Sequence, residues 1–231
     1  LDDWAEHSLD GHFKARNPWM HYHELFSKSL ASLAGALPTE VVAMNALTVN
    51  LHLLLVSFYK PEGTRTKIIC EAKSFPSDRY ALLSQINFHD LNPEENLIEL
   101  SPREGEHCLR TEDVENAILE AGDTLATVMI GGVNYYTGKL HDRRKITLAA
   151  HKVGAKCGFD LAHGMGNVPF ELHKWDVDFA CWCSYKYMNS GPGAVSGIFV
   201  HERHHNSDLP RLEGWWGHDK ATRFKMNPDY V

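Results

Sequence analysis

The sequence predicts an α/β fold, a mostly parallel sheet with helices on both faces, and three observations predict it. From about residue 39 onward, short apolar runs alternate with segments whose apolar residues recur with a period near 3.6, the βαβ rhythm of such a sheet. At 231 residues and 43% hydrophobic content, the chain has enough apolar material to bury a sizeable core. Its chemically capable residues also fall where the apolar runs end, at strand-to-helix turns where open α/β sheets collect ligands.

Taken in order, residues 1–38 are rich in His, Trp and Asn and read as an irregular arm followed by a helix over 22–33, which need not join the sheet. Residues 39–231 read as one large domain. Strands are expected at 41–45, 67–71, 125–130, 156–160, 179–183 and 195–200, each a short apolar or β-branched run. Helices are expected at 49–59, 77–88, 111–121 and 143–153. Asn45-Ala46-Leu47-Thr48 closes one strand and opens a helix, and Phe75-Pro76-Ser77-Asp78 does the same for the next. Asp160 and Lys186 end two later runs, so four separate segments should converge on one rim. No internal repeat or low-complexity segment is visible.

Composition excludes several function classes. With 23 basic and 30 acidic residues the net charge is −7, which argues against a nucleic acid or an anionic membrane as partner. The longest apolar stretch, 51–58, is interrupted by His52 and Ser57 and falls far short of the roughly 20 residues of a membrane span. Five cysteines without Cys-x-x-Cys spacing read as reduced core thiols, which suits a cytoplasmic protein. The histidine clusters at 21–23 and 201–205 match no recognised zinc spacing, so no metal is expected. Neither a Gly-x-x-x-x-Gly-Lys loop nor a Gly-x-Ser-x-Gly elbow is present.

The most informative pair is an acid and a lysine 26 positions apart, Asp160 in Gly158-Phe159-Asp160-Leu161-Ala162-His163 and Lys186 in Cys183-Ser184-Tyr185-Lys186-Tyr187. Pyridoxal phosphate chemistry requires both: a lysine forms a Schiff base with the cofactor aldehyde, and an ionised acid keeps the pyridine nitrogen protonated. Lys186, between two tyrosines, should be partly desolvated and fit for nucleophilic use; a snorkelling strand-end lysine is the competing reading. Asp160 in apolar surroundings needs a partner such as a pyridinium N–H to stay ionised, although it could also cap the turn at His163-Gly164. Leu47 and Thr48 open a helix, where free N–H groups and a hydroxyl suit a phosphate or Thr48 simply caps. Phe75 suits stacking on a flat ring, or the core.

These segments, with Glu71-Ala72-Lys73-Ser74-Phe75-Pro76-Ser77-Asp78 and Trp182-Cys183-Ser184-Tyr185-Lys186-Tyr187 the most specific, closely resemble the kynureninases, pyridoxal phosphate hydrolases of the aspartate aminotransferase superfamily (fold type I). The resemblance runs from about Asp3 to Met226. It implies that Lys186 bears pyridoxal phosphate and moves a substrate proton, that Asp160 meets the ring nitrogen, and that Tyr185 serves as phosphate ligand and proton donor. It further implies Leu47, Thr48, Phe75, Asp78 and His163 around the cofactor, and Trp215 near the phosphate, in related enzymes from the neighbouring subunit of a homodimer. His12 would lie near the aryl group of a small-molecule substrate. The implied reaction is hydrolysis of L-kynurenine or 3-hydroxykynurenine to the anthranilate and L-alanine, in tryptophan breakdown toward pyridine nucleotides. Another pyridoxal phosphate lyase, such as a cysteine desulfurase, and a non-catalytic subunit are the alternatives.

Two departures stand out. Animal members of the family tend to carry serine where Ile130-Gly131-Gly132-Val133 has Gly131, so one side-chain hydrogen bond to the phosphate, worth roughly 1.5 to 3 kcal/mol, is expected to be missing or replaced by water. The chain also opens on Leu1 and stops at Val231, before the small C-terminal domain that supplies a substrate-gripping arginine in the superfamily. We therefore expect a fragment comprising the N-terminal arm and the large domain.

Overall fold

A computed structural model describes residues 1–230. Seven strands form one sheet: β1 Val41–Ala43, β2 Lys67–Glu71, β3 Leu97–Leu100, β4 Leu125–Gly131, β5 Lys156–Asp160, β6 Phe179–Trp182 and β7 Gly197–Val200. Their spatial order is β1-β7-β6-β5-β4-β2-β3. The four pairings from β3 across to β6 are parallel, while β7 runs antiparallel to both β1 and β6. The mostly parallel sheet is thus as expected, with β7 inverted. The edge strand β3 was not anticipated: four residues, none of them fully buried, carry too little apolar signal to stand out. β1 stops at Ala43, because Asn45 adopts a positive φ of 47° that turns the chain out of the strand.

The helices are α1 Asp2–His7, α2 Gly11–Lys14, α3 Ser27–Ala34, α4 Leu47–Phe58, α5 Pro76–Phe88, α6 Pro93–Asn96, α7 Thr111–Ala121 and α8 Arg143–Lys152. The arm helix expected at 22–33 divides into a 3-10 stretch, Trp19–Phe26, followed by α3. Among the described residues, no helix is long and apolar enough to cross a membrane.

Because successive side chains of a strand point to opposite faces, the central strands feed two cores. On one face α4 and α5 lay Leu51, Leu55, Leu82 and Ile86 against Ile68, Cys70, Phe179 and Cys181. On the other, α3, α7 and α8 pack Ala34, Ile118, Ile146 and Ala150 against Ile69, Val128, Phe159 and Trp182. Each fully buried large side chain contributes roughly 1.5 to 3 kcal/mol. The sheet needs glycine at two interior positions: a β-carbon on Gly158 would sit 2.1 Å from the ring of Phe179, which lies across it and stacks on Phe58, and one on Gly197 would sit 2.5 Å from the ring of Trp182. Four of the five free cysteines are buried, and Cys108 is partly exposed.

At the opposite end of the sheet from the strand ends described below, Asp178 enters β6 almost wholly buried. Its carboxylate accepts from Cys157 N–H at 2.8 Å and Arg203 Nη2 at 2.8 Å, with His151 Nε2 at 2.8 Å and His204 Nε2 at 2.7 Å. Nearby, Glu40 gathers His173 Nδ1 at 2.9 Å and the N–H groups of Leu37 and Glu202. Glu40, His173 and His201 present three possible ligand atoms within 4.8 Å of one another. These atoms are engaged within the protein, Arg203 N–H donating to His201 Nδ1 at 3.2 Å, and the group ties the segments flanking β1, β6 and β7.

Candidate active site

Parallel register brings the carboxyl ends of the central strands side by side: Gly131 pairs with Asp160, and Asp160 with Cys181. Glu71 ends β2 on the same rim, and β1 and β2 feed α4 and α5 there. The result is an open cleft lined by Leu47, Thr48, Phe75, Asp78, Asp160, His163, Tyr185 and Lys186 together with Glu71, Ser77, Gly131 and Tyr135. The four segments expected to converge on one rim do so.

One end of the cleft is built for an anion. No side chain caps α4, whose N-cap is Ala46, or α5, whose N-cap is Phe75, so first-turn N–H groups of both helices remain available. Thr48 is therefore not the cap; its Oγ1 lies 2.8 Å from Ser77 Oγ, pairing hydroxyls from the two helix starts.

At the other end, Asp160 and Asp78 are both buried and face each other. Burial and the facing Asp160 carboxylate push Asp78 up to about 9. Burial also raises Asp160, against the Ala162 N–H that donates to its Oδ1 at 2.6 Å, the hydrogen bond from Asp78 and the charge of Lys186. Asp160 is thus both a local turn acceptor and a cleft residue. Facing each other away from water, the two carboxylates resist ionising together, and Asp78 Oδ1 has no partner.

Lys186 reaches across to these groups. Its Nζ donates to His163 Nε2 at 3.0 Å, and burial and the Lys186 charge lower the pKa of that imidazole, leaving it a neutral acceptor. The ammonium also sits 5.4 Å from the centre of the Phe75 ring, a cation–π contact. Phe75 is 44% exposed, so it belongs to the cleft and not to the core, with Tyr135 edge-on at 5.4 Å. Burial, then the neighbouring Cys183 thiol, raise the Tyr185 hydroxyl, so it keeps its proton at neutral pH and can donate it.

Two expected residues lie elsewhere within the chain. His12, in α2, sits 2.9 Å from Leu9 O through Nδ1 and edge-on to Trp19. Trp215 donates from Nε1 to Arg223 O at 3.0 Å and packs on Trp216 and Phe224. Neither lines the cleft. Conversely, Glu71, Ser77 and Tyr135 were not singled out. Ser77, a hydroxyl just behind Pro76 in a first helical turn, carried a usable signal, and so did Glu71, an acid closing an apolar strand. Tyr135 carried none. A β-carbon on Gly131 would point at Glu71 Oε1, 3.0 Å away, so the glycine leaves that space to the acid.

The family model described as Aminotransferase class-V matches residues 93–214. A kynureninase from Flavobacterium johnsoniae is 61% identical over the whole chain, which covers 54% of that protein, and one from Flavobacterium psychrophilum is 58% identical with the same coverage. The chain spans about half the length of the curated relatives it matches. Among solved structures, an apo cysteine desulfurase from Thermococcus onnurineus NA1 superposes with a TM-score of 0.72 at 20% identity, covering 92% of this chain and 52% of its own; at that identity the likeness concerns the fold.

Proposed function

This chain belongs to the class-V aminotransferase family, and from that premise we propose that the protein carrying it uses pyridoxal phosphate to hydrolyse L-kynurenine or 3-hydroxykynurenine to the anthranilate and L-alanine. The observation that carries the reading is the convergence of Lys186, the Asp160–Asp78 pair, Phe75 and two uncapped helix starts on one cleft. The residues fit the cofactor: a buried carboxylate pair awaits a cationic ring nitrogen, and paired hydroxyls at two helix N-termini await a phosphate.

Bound there, pyridoxal phosphate supplies an aldehyde for imine formation and a ring that accepts electrons from a substrate carbanion. Lys186 would hold the cofactor through its aldehyde carbon and, once displaced there by the substrate amine, would be the base that moves the proton at the substrate α-carbon. Asp160, beside Asp78, would hold the proton on the ring nitrogen. Phe75 and His163 would flank the ring, and Leu47, Thr48 and Ser77 would hold the phosphate. Tyr185, which keeps its proton, would donate it to the β-carbon as water adds to the γ-carbonyl and the bond between the β- and γ-carbons breaks, the aryl fragment leaving as the anthranilate carboxylate. His12 and Trp215, remote from the cleft of their own chain, act across the interface of a homodimer, near the aryl group and the phosphate respectively. Buried free thiols suit the cytoplasm. The whole protein, supplied with pyridoxal phosphate and either kynurenine, should release a fluorescent anthranilate. Cofactor binding with no such release, or sulfur release from cysteine in its place, would overturn the assignment.

A further inference from the structure

Two cleft residues from different strand ends are joined directly. His163 follows β5 and Lys186 follows β6, and Lys186 Nζ donates to His163 Nε2 at 3.0 Å. Because Nε2 accepts, the proton of the neutral ring sits on Nδ1. The imidazole is itself held in place: Tyr187 meets it edge-on at 6.1 Å, Tyr135 lies tilted against it at 6.4 Å, and Asn167 Nδ2 donates to the His163 carbonyl at 3.0 Å, which ties down the turn that carries it. The other neighbours of the ammonium are rings, with Phe75 at 5.4 Å and Tyr185 at 6.0 Å. Asp78 and Asp160 are near enough to feel the lysine charge, yet among the described residues Lys186 forms no ion pair with a carboxylate.

A primary amine is a nucleophile only when it is neutral. A carboxylate in the place of His163 would hold the proton on Nζ, because an opposite charge at hydrogen-bond range moves a titration by about 1 to 3 pH units. A neutral imidazole fixes the direction of Nζ without that charge. We propose that His163 is a positioning residue for Lys186, a neutral tether that aims Nζ into the cleft and leaves its proton free to depart. The inference rests on the cofactor reading for its purpose, since a lysine that adds to an aldehyde and later takes a substrate proton has to be both aimed and readily deprotonated. The tether itself is made by two residues of this chain and acts before any ring is bound, which separates it from the place of His163 beside the cofactor. Burial and the charge of Lys186 both disfavour the imidazolium, which keeps the tether neutral.

Two rates measured on the full-length protein, freed of cofactor, test the tether at about pH 8, where free lysine is mostly protonated. Methyl acetimidate is a small reagent that a neutral amine attacks from any direction, a C–N bond forming as methanol leaves, and peptide mass spectrometry reads the label on Lys186. Pyridoxal phosphate has to be met in one orientation, and its capture, with loss of water, is read by absorbance. His163→Glu replaces the neutral acceptor with a charged one and should slow both rates by about tenfold or more. His163→Leu removes the acceptor and should slow capture by about tenfold, through lost orientation, while labelling stays at least as fast as in the wild type. His163→Gln keeps a neutral acceptor and should return both rates to within about threefold of wild type, a rescue that a space-filling role would not give. Labelling of Lys186 in His163→Glu at the wild-type rate, or capture by folded His163→Leu at the wild-type rate, overturns the inference. A wild type that captures no pyridoxal phosphate removes the cofactor reading, and the labelling of His163→Glu against His163→Gln then decides the tether alone.

Discussion

The paired hydroxyls of Thr48 and Ser77 make the anion end of the cleft open to a quantitative test. They are 2.8 Å apart and both line the cleft, so each can donate to a bound phosphate while orienting the other. A hydrogen bond to a charged group contributes about 1.5 to 3 kcal/mol, so Thr48→Ala or Ser77→Ala should weaken pyridoxal phosphate binding by about 10- to 150-fold. Because the two oxygens touch, the double variant should cost less than the sum of the singles, by about 0.5 to 1.5 kcal/mol, the value of the neutral bond lost in either one. Thr48→Ser should remain near wild type. The pair is exposed, so unfolding midpoints should move little, within about 0.5 kcal/mol. Equilibrium titration of each variant with cofactor, followed by absorbance, gives the four dissociation constants. Singles that stay within twofold of wild type, or losses that combine with no coupling, would refute the phosphate cradle.

Other consequences follow from the same geometry. Lys186→Ala should abolish turnover while leaving the unfolding midpoint close to wild type, which activity and calorimetry together would check. Asp178→Ala removes the acceptor of four contacts, one buried and three part-buried, and leaves Arg203 with Asp176 as its remaining carboxylate, for a loss of about 3 kcal/mol in denaturant unfolding; a loss below about 1 kcal/mol would contradict the clamp. Burial acts to raise the Asp178 pKa, but His151, His204, Arg203 and the Cys157 N–H outweigh it and depress the group well below its usual range. Its stabilising contribution is therefore complete above the unfolded pKa of about 4 and is lost as pH falls below that value, so Asp178→Asn should flatten the acid limb of the stability curve. Gly158→Ala should be strongly destabilising or insoluble, since its methyl would meet Phe179 at 2.1 Å; pairing it with Phe179→Leu should recover part of the loss.

The sequence by itself determined the alternation of strands and helices, and with it the rim on which Leu47, Thr48, Phe75, Asp78, Asp160, His163, Tyr185 and Lys186 meet. The segments of Leu47, Thr48, Phe75, Asp160 and Lys186 are legible because a parallel sheet sends each strand end into a helix start on the same side, a local rule that periodicity and turn residues reveal; Asp78, His163 and Tyr185 are implied by the family resemblance. Tertiary structure alone decided the rest. The inverted direction of β7 and the existence of β3 depend on pairing partners distant in sequence, which a four-residue run does not encode by itself. Ser77 became significant once α4 and α5 were packed with their first turns together, and Glu71 once Gly131 of the neighbouring strand left room for its carboxylate. Asp78 could be named from its segment, but its burial against Asp160, and hence its hold on a proton near neutral pH, arises when two strand ends and a helix close around them and exclude water. His12 and Trp215 are the complementary case: they are named from the family resemblance, while the fold of one chain leaves both outside the cleft.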